Sequence, residues 1–304
     1  MKIIGHTSII KYLTDIIKTN NPAHGYLFYG PEHVGKTATA RWFAKNLIAK
    51  DISRKVILKK YPDFYFIKPE IGKKNITIKQ IKNLREKIVK TAFYDSYKIA
   101  IIKPVEYFNS ESSNAFLKIL EEPPKKTVFI LIAGNLKSVL PTIRSRTEII
   151  KFSLVKTANI IQALSKNFNG RQKKFIARWA QGKMGLALNL DADKIKNIID
   201  EEKKILQILK SAPDQKINLL TELPKNPKKW TNYLSSLTRD ILLAKLKLDK
   251  LITHQYLKRE FQKLADRRTL DNLINMLQDL IDMPDNLKRN MNQQLLWQNL
   301  FLKI

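Results

Sequence analysis

Residues 24–37 read His24-Gly25-Tyr26-Leu27-Phe28-Tyr29-Gly30-Pro31-Glu32-His33-Val34-Gly35-Lys36-Thr37: a short apolar run, a glycine-bounded loop and the first residues of a helical pattern. Gly25–Tyr29 reads as a buried strand, and Thr37–Ile48 continues as a helix. Between them every fixed position of G-x-x-x-x-G-K-[ST] is filled. The flanks give this motif its weight. Backbone N–H groups of the loop and helix start must converge on the phosphates, and the helix dipole favours their charge. The nucleotide-binding set expected here is Gly30, Pro31, Gly35, Lys36 and Thr37. The glycines let the backbone wrap the phosphates, Lys36 reaches the outer ones, and the Thr37 hydroxyl is placed to ligate Mg2+.

Working outward, Ile9, Ile10, Leu13, Ile16 and Ile17 recur at helical spacing before the loop. Beyond it, strands are expected at 64–67, 98–102 and 127–133, with helices over 77–91 and 110–121, the second stopped by Pro123-Pro124. Strands alternating with helices predict an α/β P-loop domain with a parallel sheet. Past Phe152 strand signals fade. A small helical unit is expected over about 155–195, punctuated by Gly170, Gly182 and Gly185. An all-helical region follows, marked by Leu234, Leu237 and Ile241, by Leu273, Met276, Leu277 and Leu280, and by Leu295, Leu296 and Leu300, with breaks at Pro213, Pro224 and Pro227. The expected division is 1–153 for the P-loop domain, 154–196 for a helical lid and 197–304 for an all-α collar.

Composition excludes several classes. The chain has no cysteine, and its four histidines, His6, His24, His33 and His254, are scattered, so disulfides and a zinc site of familiar spacing are not expected. No secretion signal or run of about 18 apolar residues occurs, which points to the cytoplasm and away from a membrane. The net charge of +29 is spread along the chain: residues 1–100 carry 20 basic and 7 acidic side chains, 101–200 carry 17 and 8, and 201–304 carry 19 and 12. No segment concentrates it; charge alone speaks to solubility and non-specific attraction, so a compositional origin is the first reading and a DNA-facing surface the alternative.

Hydrolysis at a phosphate loop needs a metal-holding carboxylate at the end of a second strand, usually with a neighbour that positions water. That strand is Ile99–Ile102, and it is followed by Lys103-Pro104. A lysine cannot ligate a cation. Glu106 stands two positions beyond the expected pair, read first as a charged loop residue, with a shifted role as the alternative.

Asn114–Pro124, NAFLKILEEPP, then Thr127–Leu131 and Leu140-Pro141-Thr142-Ile143-Arg144-Ser145-Arg146-Thr147, resemble the AAA+ clamp-loader family of bacterial DNA polymerase III, the delta-prime branch fitting best. Ile4-Gly5-His6, His24–Phe28, Tyr61-Pro62-Asp63 and Arg289-Asn290-Met291-Asn292 extend the likeness over nearly the whole chain. The resemblance implies an AAA+ fold with a helical lid and collar. It implies ATP or ADP with Mg2+, held weakly or not at all, and no zinc, since the family's cysteine module is missing. The family's Ser-Arg-Cys motif presents an arginine to the neighbouring subunit's nucleotide; here Ser145-Arg146-Thr147 makes Arg146 the candidate finger in trans, with no catalytic residue in cis. The sensor positions fall on Ala133, with Asn135 a possible substitute, and on Leu186.

The implied function is a delta-prime-like, largely non-hydrolysing subunit. Its implied partners are motor subunits of the gamma/tau type and a delta-type subunit, and through them the sliding clamp, the polymerase and primer-template DNA. The alternatives are an ATP-hydrolysing motor subunit of the same complex or a P-loop small-molecule kinase. Nothing in the chain resembles a polymerase active site.

Overall fold

Alternation along the strands sets the layering of the first part of the molecule. The computed structural model describes residues 3–52, 57–94, 96–165, 168–211, 227–288, 296–297 and 299–300. Arg289–Asn292, Leu295, Phe301, Pro213 and Pro224 lie outside the described residues. In chain order the first elements are α1 (Thr7–Thr19), β1 (Gly25–Tyr29), α2 (Lys36–Ile52), β2 (Phe64–Ile67), α3 (Ile78–Val89), β3 (Lys98–Ile102), α4 (Ser110–Glu121), β4 (Thr127–Ala133), α5 (Pro141–Arg144) and β5 (Glu148–Lys151). The five strands lie in the order β2-β3-β4-β1-β5, every neighbouring pair parallel.

A parallel sheet is covered on both faces, so successive side chains enter different cores. Tyr26, Phe28, Ile99, Ile101, Val128 and Ile130 pack with Leu13 of α1 and Phe43 and Leu47 of α2. Leu27, Ala100, Ile102, Phe129 and Leu131 pack with Leu84 and Ile88 of α3 and Phe116 and Leu120 of α4. The two crossover helices start on explicit caps. Thr77 and Gln80 form a reciprocal capping box at α3, and Asn109 accepts the Ser112 N–H at α4.

The edge strand β5 was not anticipated from its sequence. Of Glu148-Ile149-Ile150-Lys151 only Ile150 is buried, so no hydrophobic pattern announces it; it is fixed instead by parallel pairing with β1.

The contacts divide the chain into two units: Met1–Lys166 with Ala180–Leu188, and Asn167–Trp179 with Asn189–Ile304. The first unit adds α6 (Thr157–Ala163) and α8 (Met184–Leu188). The second contains α7 (Gly170–Trp179), α9 (Ala192–Lys210), α10 (Pro227–Lys245), α11 (Lys258–Asp266) and α12 (Leu270–Lys288). Its core includes Leu234, Leu237, Ile241, Leu273, Met276, Leu280 and Leu300, positions that helical spacing picks out, joined by Ile205, Leu209, Phe261 and Trp297. No helix among the described residues is long and apolar enough to cross a membrane.

Candidate functional site

The loop between β1 and α2 is braced by its surroundings. Gly30 has φ 138°, and a Cβ there would lie 2.1 Å from the Phe152 carbonyl oxygen. Phe152 in turn donates its N–H to Tyr29 O at 2.7 Å, which keeps the segment after β5 against the loop. His33 adopts φ 62° and accepts the Gly185 N–H at 2.6 Å, so the start of α8 sits on the loop backbone. The Val34 carbonyl is bonded to His6 Nε2 at 2.9 Å. Gly30→Ala should destabilise the first unit by about 3 kcal/mol, because positive φ and a backbone collision act together. Gly72→Ala, also at positive φ but with open space around it, should cost about 1 kcal/mol. Equilibrium urea unfolding of the two variants checks the contrast.

Lys36 is buried, 7% exposed, and its Nζ donates to the carbonyls of Gly30 and, at 2.6 Å, Pro31. Burial pushes its ammonium down to about 8; the Lys103 charge acts in the same direction, and Glu106 and Glu32 oppose it. These groups share one cavity of about 350 Å³, lined by Glu32, His33, Gly35, Lys36, Thr37, Lys103, Glu106, Ala133, Gly134 and Gly185 among others. Of the loop residues singled out in the sequence, Gly35, Lys36 and Thr37 line this cavity, while Gly30 and Pro31 contribute the carbonyls that hold Lys36.

The donors fit a phosphate group: a loop with Gly30 and Gly35 at positive φ, the start of the 17-residue α2, and two lysines. They do not fit the usual Mg2+ of such a loop. Thr37 is in place, but the end of β3 offers Lys103 where a carboxylate is needed. Glu106 also reaches the cavity, beyond what its place in the sequence suggested. Its Oε1 accepts the Gly134 N–H at 2.7 Å, and its Oε2 is buried with no hydrogen-bond partner. Asn135, the possible substitute sensor, is not among the residues lining the cavity; its side chain accepts the Lys137 N–H at 3.0 Å and caps a short turn over Leu136–Ser138. Ala133 and Gly134 line the cavity instead.

Arg146 belongs to a different surface. It follows α5 and is not among the residues lining the cavity of its own phosphate loop. Its Nη1 donates to Thr142 O at 3.1 Å and Ser145 Oγ at 3.3 Å, and its Nη2 lies 2.9 Å from Glu121 Oε1. The side chain is 37% exposed. Ser145 donates to Thr142 O at 3.1 Å, and the Thr147 hydroxyl is turned inward to Ile143 O at 3.0 Å. The guanidinium is thus held at the surface by carbonyl, hydroxyl and carboxylate partners.

A five-stranded parallel sheet in this order, with a phosphate loop at the C-terminal end of a central strand and α8 resting on that loop, defines a P-loop domain of the AAA+ type. Comparison with known proteins narrows the class. The chain belongs to the family described as DNA polymerase III, delta subunit, whose model matches residues 5–156. It is 34% identical over 135 residues to DNA polymerase III subunit delta' of Pseudomonas aeruginosa, a match covering 41% of each chain. It is 30% identical over 211 residues to DNA polymerase III subunit gamma of Buchnera aphidicola, covering 62% of this chain and 56% of that one. In these matches the chain thus spans about half, or less, of the relatives' own lengths. Among solved structures, a gamma subunit-related protein of DNA polymerase III from Thermotoga maritima shares the fold, with a TM-score of 0.54 and 19% identity over 95% of this chain and 97% of that one.

Proposed function

We propose that this chain is a delta-prime-like subunit of the DNA polymerase III clamp loader, an AAA+ protein that helps build the loader ring and acts on a neighbour's nucleotide without turning over its own. In this reading the P-loop domain (1–153), a helical lid (154–196) and a collar (197–304) divide the work of nucleotide contact and ring assembly. Its partners are gamma/tau-type motor subunits and a delta-type subunit, and through them the sliding clamp, the polymerase and primer-template DNA in the cytoplasm. Ser145 and Arg146 form the finger offered in trans.

The observation that carries the reading is Lys103: an intact phosphate loop opens on the same cavity as a cation at the position where hydrolysis requires an acid. Such a site can attract a nucleotide but lacks the carboxylate that would hold its metal. The likeness to a gamma subunit and the position of Glu106 favour a second reading, a motor subunit of the same complex. Steady-state ATP hydrolysis by the isolated chain with Mg2+ separates the two. The expected rate equals that of Lys36→Ala. A rate that Lys36→Ala abolishes would establish the motor reading instead.

A further inference from the structure

Lys103 changes the charge of the site as well as its ligands. In a phosphate-loop site with its acids in place, the two carboxylates at the strand end cancel the charge of one Mg2+, and the metal bridges the outer phosphates. Here a single ammonium stands at the end of β3, in the cavity that Lys36 and Thr37 also line. The cavity thus holds two ammonium groups, Lys36 and Lys103, beside the carboxylates of Glu32 and Glu106, and its cation at the strand end is part of the chain. The register between β3 and β4 carries this placement: Ile102 pairs with Leu131, so the residue after β3 comes out beside the end of β4, where Ala133 and Gly134 close the cavity. Glu106 lies on the same side, its carboxylate tied through Oε1 to the Gly134 N–H at 2.7 Å.

We propose that this cavity binds the polyphosphate of a nucleoside di- or triphosphate without a divalent cation, Lys103 supplying the positive charge that Mg2+ supplies in hydrolysing relatives of the fold. The inference rests on reading the loop as a nucleotide site. An ammonium neutralises phosphate charge as a point charge with rotatable donors, and it imposes no octahedral chelate on the outer phosphates. The Thr37 hydroxyl is then free to donate to a phosphate oxygen. A nucleotide held this way is anchored but not aligned for attack by water, so retention and absence of turnover have one cause.

The test is equilibrium binding of fluorescent ATP and ADP analogues to the full chain in EDTA and in Mg2+. In EDTA the wild type should bind, Lys36→Ala should abolish binding, and Lys103→Ala should weaken it by roughly tenfold or more. Mg2+ should tighten wild-type binding by less than about tenfold. In Lys103→Asp the remaining binding should require Mg2+, the reversal expected when a metal ligand replaces the cation. Three results would overturn the proposal: no binding in either condition, a Mg2+ gain above that limit, or a smaller loss in Lys103→Ala. If Glu106→Gln removes a Mg2+ gain, the buried Glu106 oxygen holds a metal and Lys103 does not replace it. None of these bears on Arg146. Turnover by the isolated chain, by contrast, would remove the functional reading itself while leaving metal-free affinity measurable.

Discussion

Replacing Arg146 with alanine should lower DNA- and clamp-stimulated ATP turnover of the reconstituted loader by at least roughly tenfold, toward the 10³–10⁵ that trans-acting arginines contribute in GTPases, while the ring still assembles. The setting of the side chain supports this proposed role. Arg146 is more than a third exposed, and its ion pair with Glu121 spans 2.9 Å at the surface, where such pairs contribute about 0–1 kcal/mol. A phosphate oxygen on a neighbouring subunit is a stronger and more highly charged partner, so little is lost when the guanidinium leaves Glu121. Arg146→Lys should rescue poorly, because the planar fork is lost while the charge is kept. Glu121→Gln should leave turnover within about threefold of wild type, since it removes a holding partner and no reacting group. Unchanged turnover in Arg146→Ala, with the ring intact by gel filtration, would reduce Ser145 and Arg146 to a surface cluster and this subunit to scaffolding.

How far the site could be read from sequence depended on whether its parts are local. The phosphate loop was legible because strand, loop and helix are contiguous, and the glycines at 30 and 35 adopt a positive φ. The missing acid was legible too, since Lys103 directly follows an apolar strand. What sequence could not place were pairings across the fold. The contact of Gly185 with His33 joins α8 to the loop, whereas the sequence offered Gly185 only as punctuation of a helical unit. Glu106 looked like a displaced loop residue until the end of β4 brought Gly134 to its carboxylate. Asn135 looked like a polar sensor, but its side chain is used by the turn that starts on it. Arg146 was singled out by motif, whereas its Glu121 partner lies at the end of α4 and carries no signature. Edge strand β5 escaped because a strand with one buried residue has no period to detect.

The second unit was read as a set of apolar helical faces, yet its largest single dependence should be a buried charge. His254, fully buried between α10 and α11, has both ring nitrogens on carboxylates: Nδ1 lies 2.7 Å from Asp240 Oδ2, and Nε2 lies 3.0 Å from Glu202 Oε1. Asp240 Oδ2 also accepts the N–H groups of Thr253 and His254 at 2.9 and 2.8 Å, and Glu202 Oε2 accepts the Tyr256 hydroxyl at 2.5 Å. Arg239 lies 3.7 Å from Asp240 Oδ1. Burial alone would push the imidazole down, but the hydrogen bonds and charges of Asp240 and Glu202 outweigh it and lift His254 to about 9. The native state therefore holds a proton more tightly than the unfolded chain, whose histidine titrates near about 6.5. This contribution, on the order of 3 kcal/mol, is complete below pH ~6.5, declines as pH rises and is gone above pH ~9. Asp240→Ala should destabilise the second unit by about 3–5 kcal/mol, because it strips a buried imidazolium of one carboxylate and frees two backbone N–H groups. Urea unfolding followed by tryptophan fluorescence suits the test, since Trp179, Trp230 and Trp297 all belong to this unit. In His254→Gln the alkaline decline in stability should disappear. If that variant keeps the wild-type slope between pH 6.5 and 9, the imidazole is not the titrating group and the cluster is held by neutral hydrogen bonds alone.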